Sequence, residues 1–314
     1  MSGRLAAAIT KAASKQTYYT IRFLVDRGRV EDAYRAYAYF RWVDDILDAD
    51  PPERSSRGSF DMTARVRFLD RQRTLLDRCL RGEVPRGLSA HEAMLVDLLA
   101  GADGLDRGLE AYVRHMMLVM RFDLRRRGRL ISEAELTDYT RSLAIAVTEA
   151  MHHFIGGGRG APQEDARYMA AAGAHIVHML RDTHADIRAG YFNIPGEVLR
   201  AHSIRPQDVE SAPYRAWVER RIKLARAYFD AGREYLARIP CRRHRLAALA
   251  YVGRFMWLTD TIEREGFVLR REYAERQAVA THLRIARDVA SWMSGSRLPP
   301  GRSRDDAPSS AAHA

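Results

Sequence analysis

The sequence, 314 residues long, lacks several features that define other protein classes. Its two cysteines, Cys79 and Cys241, are too few for a disulfide framework or a cysteine-rich zinc site. It contains no run of about 18 apolar residues, which argues against a membrane-spanning helix. Residues 1–15 also include no apolar stretch of signal-peptide length. From these absences we expect a cytoplasmic protein without a disulfide framework.

Lysine is scarce as well: Lys11, Lys15 and Lys223 are the only three, so 48 of the 51 basic residues are arginine. The formal net charge is +11, and a basic surface attracts anionic ligands such as diphosphates, nucleic acids and acidic lipids. The arginines are spread along the chain and accompany no recognisable nucleic-acid-binding module. We therefore expect no nucleic-acid partner, whereas peripheral contact with a membrane of acidic lipid stays open.

Strand patterns are nearly absent, because Val and Ile do not alternate with polar residues over any long stretch. Apolar residues instead recur at helical spacing, and Ser132 and Glu135 form the Ser-x-x-Glu pattern of a helix start. The spacing predicts helices over residues 31–47, 69–80, 91–99, 108–127, 132–155, 164–187, 214–238, 242–265 and 273–293. The predicted fold class is all-α.

The composition suggests one folded unit followed by a tail. Residues 1–295 are predicted to form a single helical domain, in which residues 49–60, with two prolines, form a loop. From residue 296 the composition changes to Pro, Gly, Ser, Arg and Asp, and we expect residues 296–314 to be disordered.

Three aspartates stand together in the pattern Asp44-Asp45-Ile46-Leu47-Asp48. Asp44 and Asp48 share one helix face because they are four residues apart, and Asp45 lies beside them. Carboxylates so close repel one another unless a cation intervenes. Mg²⁺ takes oxygen ligands from one or two carboxylates plus substrate phosphates. The pattern is compatible with a metal site or with a solvated acidic helix end.

A second aspartate pair, Asp182 and Asp186, has the same spacing, and His178 extends its stripe by one turn. The preceding segment, residues 169–180, is mostly apolar, so we expect these carboxylates to be partly buried and to need partners. A salt bridge with a neighbouring arginine would satisfy them. Alternatively, the two pairs face one another and bind a metal cluster that holds a diphosphate at the mouth of an apolar cavity.

The order and spacing of these motifs resemble the squalene and phytoene synthase family. The similarity covers roughly residues 14–290. The matching segments are Tyr18-Tyr19 with residues 29–48, residues 120–123, Tyr139, residues 175–195 and residues 225–266.

The resemblance implies a class I isoprenoid-synthase helical bundle around a central cavity. In that family, metal ions bind an allylic prenyl diphosphate and assist the departure of pyrophosphate. The implied cofactor is Mg²⁺, with Mn²⁺ as a substitute, and the implied metal ligands are Asp44, Asp45, Asp48, Asp182 and Asp186. Arg41 and Arg181 would bind the diphosphate, Tyr18 would contact the substrate, and Tyr139 would lie near the reacting centre.

Two histidines depart from the family pattern. His175 and His178 occupy positions where the family usually has Gln and Asn. The Asn is ordinarily an oxygen ligand to a metal, and imidazole is a poorer match for Mg²⁺. His178 would instead bind diphosphate or carry a proton, which makes it the first candidate for a general base. The alternative is a packed histidine without that role, and His175 is expected to lie beside the substrate.

The helix that contains Tyr139 departs as well. Ile145 and Thr148 replace two glycines of the family pattern, and their side chains would fill space in the cavity wall. This predicts a preference for short prenyl donors. Glu149 follows at a position where the family is mostly apolar. It is either part of a polar lining, and then a second candidate base, or part of a solvent-facing surface.

The loop at residues 191–195 lacks one Arg and one Tyr of the usual family pattern. Together with the narrowed wall, this favours an enzyme that transfers the prenyl group to a small non-prenyl acceptor, an aromatic molecule of secondary metabolism. Head-to-head condensation of two prenyl diphosphates is the main alternative, and cyclisation of one diphosphate is another. A non-catalytic binding protein on the same fold is disfavoured because both aspartate pairs are intact.

Overall fold

The computed structural model describes residues 2–49, 58–83, 85–100, 106–156 and 160–294, and the regular secondary structure in these residues is entirely helical. The α-helices are α1 (Ser2–Ala13), α2 (Lys15–Leu24), α3 (Val30–Asp48), α4 (Gly58–Leu80), α5 (Glu92–Ala100), α6 (Arg107–Arg126), α7 (Glu133–Phe154), α8 (Met169–Ala189), α9 (Gly196–Ala201), α10 (Ala212–Ala237), α11 (Arg242–Arg264) and α12 (Val279–Met293). The predicted all-α fold class is confirmed.

Three helices, α1, α2 and α9, lie where the periodicity predicted none. Ser14 separates α1 from α2, and its hydroxyl accepts a hydrogen bond from the Thr17 backbone amide at 3.1 Å, which caps the start of α2. α4 begins at Gly58, so the predicted loop at residues 49–60 ends earlier than expected. The intervening part of that loop and the predicted tail at residues 296–314 lie outside the described residues.

Local signals set the start of α7 and the end of α8. The Ser132 hydroxyl accepts a hydrogen bond from the Glu135 amide at 3.1 Å, and the Glu135 carboxylate accepts one from the Ser132 amide at 2.9 Å. The predicted helix start is therefore confirmed. α8 ends at Gly190, whose φ of 85° is a left-handed conformation that favours glycine. This turn directs residues 191–195 back toward the ends of α3 and α8.

The packing of α8 fixes the centre of the bundle, because α8 contacts α7, α10 and α11. α10 approaches α8 closely at Gly232, where an added Cβ would lie 2.6 Å from the Cβ of Ala170. A larger residue at this position would push the two helices apart. Helices α2, α3, α6, α7 and α11 enclose an apolar cavity. Within the described residues, no helix combines the length and apolar character needed to cross a membrane.

Candidate active site

The α3 helix brings Asp44 and Asp48 to one face, as their spacing predicted. Burial and the nearby Asp48 carboxylate raise the pKa of Asp44 to about 6, and Arg41 only partly opposes this effect. Arg41 Nη2 lies 2.5 Å from Asp45 Oδ1, and Arg41 Nη1 lies 3.6 Å from Asp44 Oδ2. The exposed Asp45 is therefore already paired with Arg41, whereas Asp44 is held less closely.

On α8, Asp182 is tightly held. Arg181 donates two hydrogen bonds to its carboxylate, from Nε at 2.7 Å and from Nη2 at 2.6 Å, and His178 Nε2 lies 2.9 Å from Asp182 Oδ2. Burial would raise the pKa of Asp182, but the hydrogen bonds from Arg181 and His178 outweigh it and hold this pKa well below its usual range. For Asp186 the balance is opposite. Burial raises its pKa to about 6, although Asn193 donates a hydrogen bond to it at 2.6 Å.

Residues 191–195 join the two aspartate pairs. The Tyr191 hydroxyl donates to Asp48 Oδ1 at 2.7 Å, and Asn193, two residues later, binds Asp186. Arg126 Nη1 of α6 donates to Asn193 Oδ1 at 2.7 Å, which orients the amide. The loop therefore connects α3, α6 and α8 at one place. We call the two aspartate pairs that this loop links the aspartate rim: Asp44, Asp48, Asp182 and Asp186.

Tyr139, predicted to lie near the reacting centre, is buried behind the aspartate rim and is not part of the cavity lining. Its hydroxyl donates to Asp123 Oδ2 at 3.0 Å, and Arg126 Nε donates to Asp123 Oδ1 at 2.7 Å. The Arg126 guanidinium lies 4.9 Å from the centre of the Tyr139 ring and 4.8 Å from that of Tyr191. Burial and the charge of Asp123 raise the pKa of Tyr139 well above its usual value, so the phenol stays protonated. In this arrangement Tyr139 orients Asp123 and Arg126.

The two unusual histidines differ in position. His175 is buried with its ring centre 4.9 Å from that of Tyr139, and neither of its ring nitrogens has a hydrogen-bond partner among the described residues. Burial lowers the pKa of His175 well below its usual value, so its ring is neutral. His178 is half-exposed and reaches Asp182. Tyr18, the predicted substrate contact, stacks on Tyr34 with ring centres 5.3 Å apart and is not part of the cavity lining.

The donor chemistry of the aspartate rim fits Mg²⁺, because carboxylate oxygens are ligands that this ion prefers. Asp44 and Asp186 have raised pKa values, so a cation beside them would stabilise their charged forms. In the part of the chain that the structure describes, no three His, Cys, Asp or Glu side chains come together closely enough to hold a metal alone. Mg²⁺ commonly completes its shell with substrate phosphates and water. The rim is therefore compatible with metal held jointly by protein and diphosphate.

An apolar cavity of about 560 Å³ begins at the aspartate rim, where Arg41 and Asp44 form part of its lining. Most of the wall is aromatic or aliphatic, with Tyr37, Phe40, Tyr112, Met116, Met120 and Phe154 among its residues. A wall of this kind accommodates a hydrocarbon chain and excludes water from a reactive cation.

A second cavity, of about 360 Å³, shares Gln16 and Arg254 with the first. Arg181, Arg254 and Arg276 line it. Burial and the charges of Arg181 and Arg276 lower the pKa of Arg254, whose Nη1 donates to Gln16 Oε1 at 2.5 Å. Three cations around one cavity suit a polyanion. Sequence reasoning did not select Arg254, although its charge within the apolar segment 246–258 was a usable signal.

The prediction that Ile145 and Thr148 narrow the cavity is not supported, because they lie on other sides of α7. Leu143 and Val147 line the cavity, and Ile145, two residues from each, points to the opposite side of the helix. Thr148 is buried with its hydroxyl 3.5 Å from the backbone carbonyl of Arg167. The preference for short donors, which rested on these two side chains, therefore loses its structural basis.

Glu149 lies behind α7 in a buried polar cluster. Its Oε1 accepts a hydrogen bond from the Tyr168 hydroxyl at 2.7 Å and lies 2.9 Å from Arg167 Nη2. His152 Nε2 lies 3.1 Å from the Tyr235 hydroxyl. We call this group the α7 polar cluster: Glu149, His152, Arg167, Tyr168, Tyr235 and His244. The Glu149 carboxylate is engaged there and lies outside the cavity lining, so the geometry gives no support to its role as a base, which stays a prediction.

Comparisons with known proteins agree with this architecture. The profile of the squalene/phytoene synthase family matches residues 10–283. The fold is similar to that of squalene synthase HpnC from Alicyclobacillus acidocaldarius, with 19% identity, 86% of this chain and 95% of that chain covered, and a TM-score of 0.66. It is also similar to a dehydrosqualene synthase in complex with ligand, with 15% identity, 94% and 97% covered, and a TM-score of 0.67. No curated protein sequence matches the chain.

Proposed function

The chain belongs to the squalene/phytoene synthase family, whose members are prenyl-transferring enzymes of isoprenoid biosynthesis, and from that premise we propose that it condenses two prenyl diphosphates head to head with the help of Mg²⁺. The observation that carries this proposal is a pair of adjacent cavities that share two lining residues. One is apolar and begins at the aspartate rim, and the other is lined by three arginines. They share Gln16 and Arg254, so two diphosphate groups would have separate positions beside one space for hydrocarbon.

In this proposal the aspartate rim binds the diphosphate that leaves first. Asp44, Asp48, Asp182 and Asp186 would hold Mg²⁺, which neutralises the negative charge that develops on the departing pyrophosphate. Arg41 lies beside Asp44 at the end of the cavity and would donate to the diphosphate oxygens.

The arginine-lined cavity would hold the second diphosphate. Arg181 and Arg254 belong to its lining, and Arg181 also contacts Asp182 of the rim at 2.6 Å. The Arg181 guanidinium therefore lies between the two proposed diphosphate positions. There it would hold the two anions near each other without direct contact between the anions. Arginine suits this task because its planar fork matches phosphate geometry.

Transfer to a non-prenyl aromatic acceptor has less support than the sequence suggested. The first reason to expect such a transfer was a cavity narrowed by Ile145 and Thr148, but these residues do not form part of the cavity lining. The second reason was the altered loop, yet Tyr191 and Asn193 of that loop contact the rim directly. The role of His178 as a base for such a transfer stays a prediction.

The test is to incubate the purified protein and Mg²⁺ with one allylic diphosphate at a time, from C5 to C20, with and without aromatic acceptors. The proposal expects a product that contains two prenyl units, formed without an added acceptor and absent in EDTA. Arg254→Gln should lower kcat/KM by about tenfold or more, since a charged hydrogen bond to the diphosphate is lost. Products with one prenyl unit joined to an acceptor, or one cyclised unit, would contradict it.

A further inference from the structure

The apolar cavity runs along its helices away from the aspartate rim. On α3, Arg41 and Asp44 line it at the rim, and Ala33 lines it three turns earlier in the helix. Ala33 and Asp44 are 11 positions apart, which corresponds to about 16 Å at the helical rise of about 1.5 Å per residue. On α7, the lining residues Leu143 and Phe154 are also 11 positions apart. The cavity is therefore about 16 Å deep.

Contacts between α6 and α7 identify the far end of the cavity. Beside the rim, the hydroxyl of Tyr139 on α7 donates to the carboxylate of Asp123 on α6 at 3.0 Å. Several turns further along the same two helices, the rings of Tyr112 and Phe154 pack edge to face with centres 6.4 Å apart. Tyr112 and Phe154 both line the cavity, so they lie at its end opposite the rim.

Buried side chains close this far end. Val25, Tyr112, Phe154 and Ile155 line it, and none of them is more than 8% exposed. We call these four residues the cavity floor. Because protein interiors are close-packed, a hydrocarbon chain that reaches the cavity floor has no space beyond it.

Asp26 holds the backbone of the cavity floor in place. Its amide donates to the backbone carbonyl of Phe154 at 3.0 Å, and its carboxylate Oδ2 accepts from the Gly156 amide at 3.0 Å. Arg243 Nη2 of α11 donates to Oδ1 of the same carboxylate at 2.6 Å. One aspartate therefore joins the segment after α2, the end of α7 and the start of α11.

The end of α7 is held at two further points. Arg29 donates to the backbone carbonyl of His153, and His153 Nδ1 lies 2.6 Å from Asp106 Oδ2 at the start of α6. Gly156 has a φ of 78°, and an added Cβ would lie 2.7 Å from Cys241 Sγ, so this turn packs directly against the residue that precedes α11. A chain longer than the cavity therefore meets a fixed surface.

We propose that Phe154 sets the longest prenyl chain that the cavity accepts, at about 15 carbons, and that Asp26 is the residue that positions it. In an extended chain each main-chain bond advances about 1.2 Å, so a C15 prenyl chain spans about 14 Å and a C20 chain about 19 Å. Only the C15 chain fits a depth of about 16 Å. The assignment rests on the proposed function, because it takes the cavity as the space for the hydrocarbon chain of the donor.

Substitutions of the two residues should act differently. Phe154→Ala removes the ring and leaves space at the cavity floor for a further isoprene unit. Asp26→Ala leaves the ring but releases the backbone that carries it, so the floor would yield to a longer chain. Asp26→Asn keeps an oxygen that can accept from the Gly156 amide, and it should retain most of the wild-type limit.

The experiment is calorimetric binding of C15 and C20 prenyl thiolodiphosphates to the full-length protein with Mg²⁺. Sulfur in place of the bridging oxygen slows ionisation, so binding is measured without turnover. The wild-type protein should bind the C15 compound about tenfold or more tightly than the C20 compound, because the last isoprene unit does not fit. Phe154→Ala should lower this ratio of Kd values by about tenfold, and the smaller truncation Phe154→Leu and Asp26→Ala by about threefold each.

Phe68→Ala and Asp208→Ala are the matched controls. Phe68 packs on Trp42 with ring centres 5.2 Å apart and is not part of the cavity lining. Asp208, like Asp26, accepts hydrogen bonds from a backbone amide and a guanidinium, both of Arg205, at 2.9 Å and 3.0 Å. Both controls should leave the ratio of Kd values unchanged.

Equal or tighter binding of the C20 compound by the wild-type protein would overturn the proposal. An unchanged ratio in Phe154→Ala and Phe154→Leu, both shown to be folded by circular dichroism, or an equal shift in Phe68→Ala, would also overturn it. An unchanged ratio in Asp26→Ala would remove Asp26 as the positioning residue. Because binding is measured without turnover, a C15 limit together with a product that contains one prenyl unit contradicts only the proposed function. Binding of neither compound would contradict both.

Discussion

The aspartate rim and the α7 polar cluster are both groups of ionisable side chains, but their electrostatics differ, and only the rim contributes a residue, Asp44, to the cavity lining. In the rim, burial and neighbouring carboxylates raise the pKa of Asp44 and Asp186 to about 6. In the α7 polar cluster, Glu149 is paired with Arg167 at 2.9 Å, with both side chains 9% exposed. Asp44 and Asp186 of the rim are therefore compatible with a cation supplied by a ligand, whereas Glu149 is already paired with Arg167 of the protein.

This difference distinguishes carboxylates suited to binding a cationic ligand from an ion pair that stabilises the folded protein. Carboxylates whose charge is unfavourable in the folded protein persist when a ligand supplies the missing cation. A buried ion pair that is complete needs no ligand, and breaking it leaves an unpaired charge in the interior. Polar residues at unusual positions, such as Glu149, are therefore not evidence of catalysis until their partners are known.

The strongest test of the comparison is to neutralise carboxylates of the aspartate rim and, separately, Glu149 of the α7 polar cluster. Asp182→Asn and Asp44→Asn should each lower kcat by about a hundredfold or more, because charge stabilisation of the leaving pyrophosphate is lost. Asp44→Asn should leave the free energy of unfolding at pH 7 unchanged or higher, since burial and Asp48 disfavour the charge of Asp44. Steady-state kinetics and urea unfolding measure the two effects. A variant with near wild-type kcat would remove that residue from the rim.

Glu149→Gln should behave in the opposite way. It leaves Arg167 without its buried partner and should lower the free energy of unfolding by about 3 kcal/mol. The kcat of the folded fraction should change less than about threefold, because Glu149 is not part of the cavity lining. A large loss of kcat with unchanged stability would return Glu149 to the list of catalytic candidates.

Removing the contacts that Asn193 and Tyr191 make from the loop at residues 191–195 should have unequal effects on activity. Asn193→Ala removes a buried amide that joins Arg126 to Asp186, and we expect a loss of activity of about 10–100-fold and a higher Mg²⁺ requirement. Tyr191→Phe removes one hydrogen bond to the exposed Asp48 and should lower activity by less than about tenfold. Kinetics at a series of Mg²⁺ concentrations compare them. Equal effects would show that the loop acts on both pairs alike.

The fold was predictable from helical periodicity, and most predicted segments coincide with observed helices. The DxxxD spacing likewise predicted that Asp44 and Asp48 share a face. The roles of α7 residues were not predictable in the same way. Periodicity shows that Ile145 and Val147 lie on different faces, but it does not show which face meets the cavity. That depends on α2, α3, α6 and α11, which are far apart in sequence.

The loop contacts were missed for a similar reason. Tyr191 and Asn193 follow α8 directly, but their partners Asp48 and Arg126 come from α3 and α6. Resemblance to a family pattern showed which residues were absent from the loop. It gave no information on which residues had taken over their contacts.

The faces of α7 provide a further test. Val147→Phe adds bulk to the cavity wall and should shift the preferred donor to a shorter prenyl chain, because Val147 lines the cavity. Ile145→Ala, on the opposite side of the helix, should leave the donor preference unchanged. Competition between C10, C15 and C20 diphosphates measures the preference. A longer preferred donor in Ile145→Ala would restore the original prediction that Ile145 limits the cavity.

The smallest expected effect is the pH dependence of the α7 polar cluster. Burial lowers the pKa of His152 to about 3 and that of His244 to about 4, both below the ordinary 6.5. As the pH falls, the unfolded chain is protonated first, so the stability is complete above pH 6.5 and is lost between pH 6.5 and about 4 for His244, or about 3 for His152. For each of the two histidines we expect about 2 kcal/mol less free energy of unfolding at pH 5 than at pH 7. His152→Gln should reduce this difference, and an unchanged difference would exclude His152 as a cause.

The central claim, that one active site joins two prenyl diphosphates, is tested most directly by isotope mixing. The protein and Mg²⁺ are given equal amounts of unlabelled and deuterated forms of the same prenyl diphosphate, with an aromatic acceptor also present. Condensation of two donors predicts a product with three mass peaks, of which the middle one combines a labelled and an unlabelled chain. A product with only two peaks, each one prenyl chain on the acceptor and no mixed species, would contradict the account.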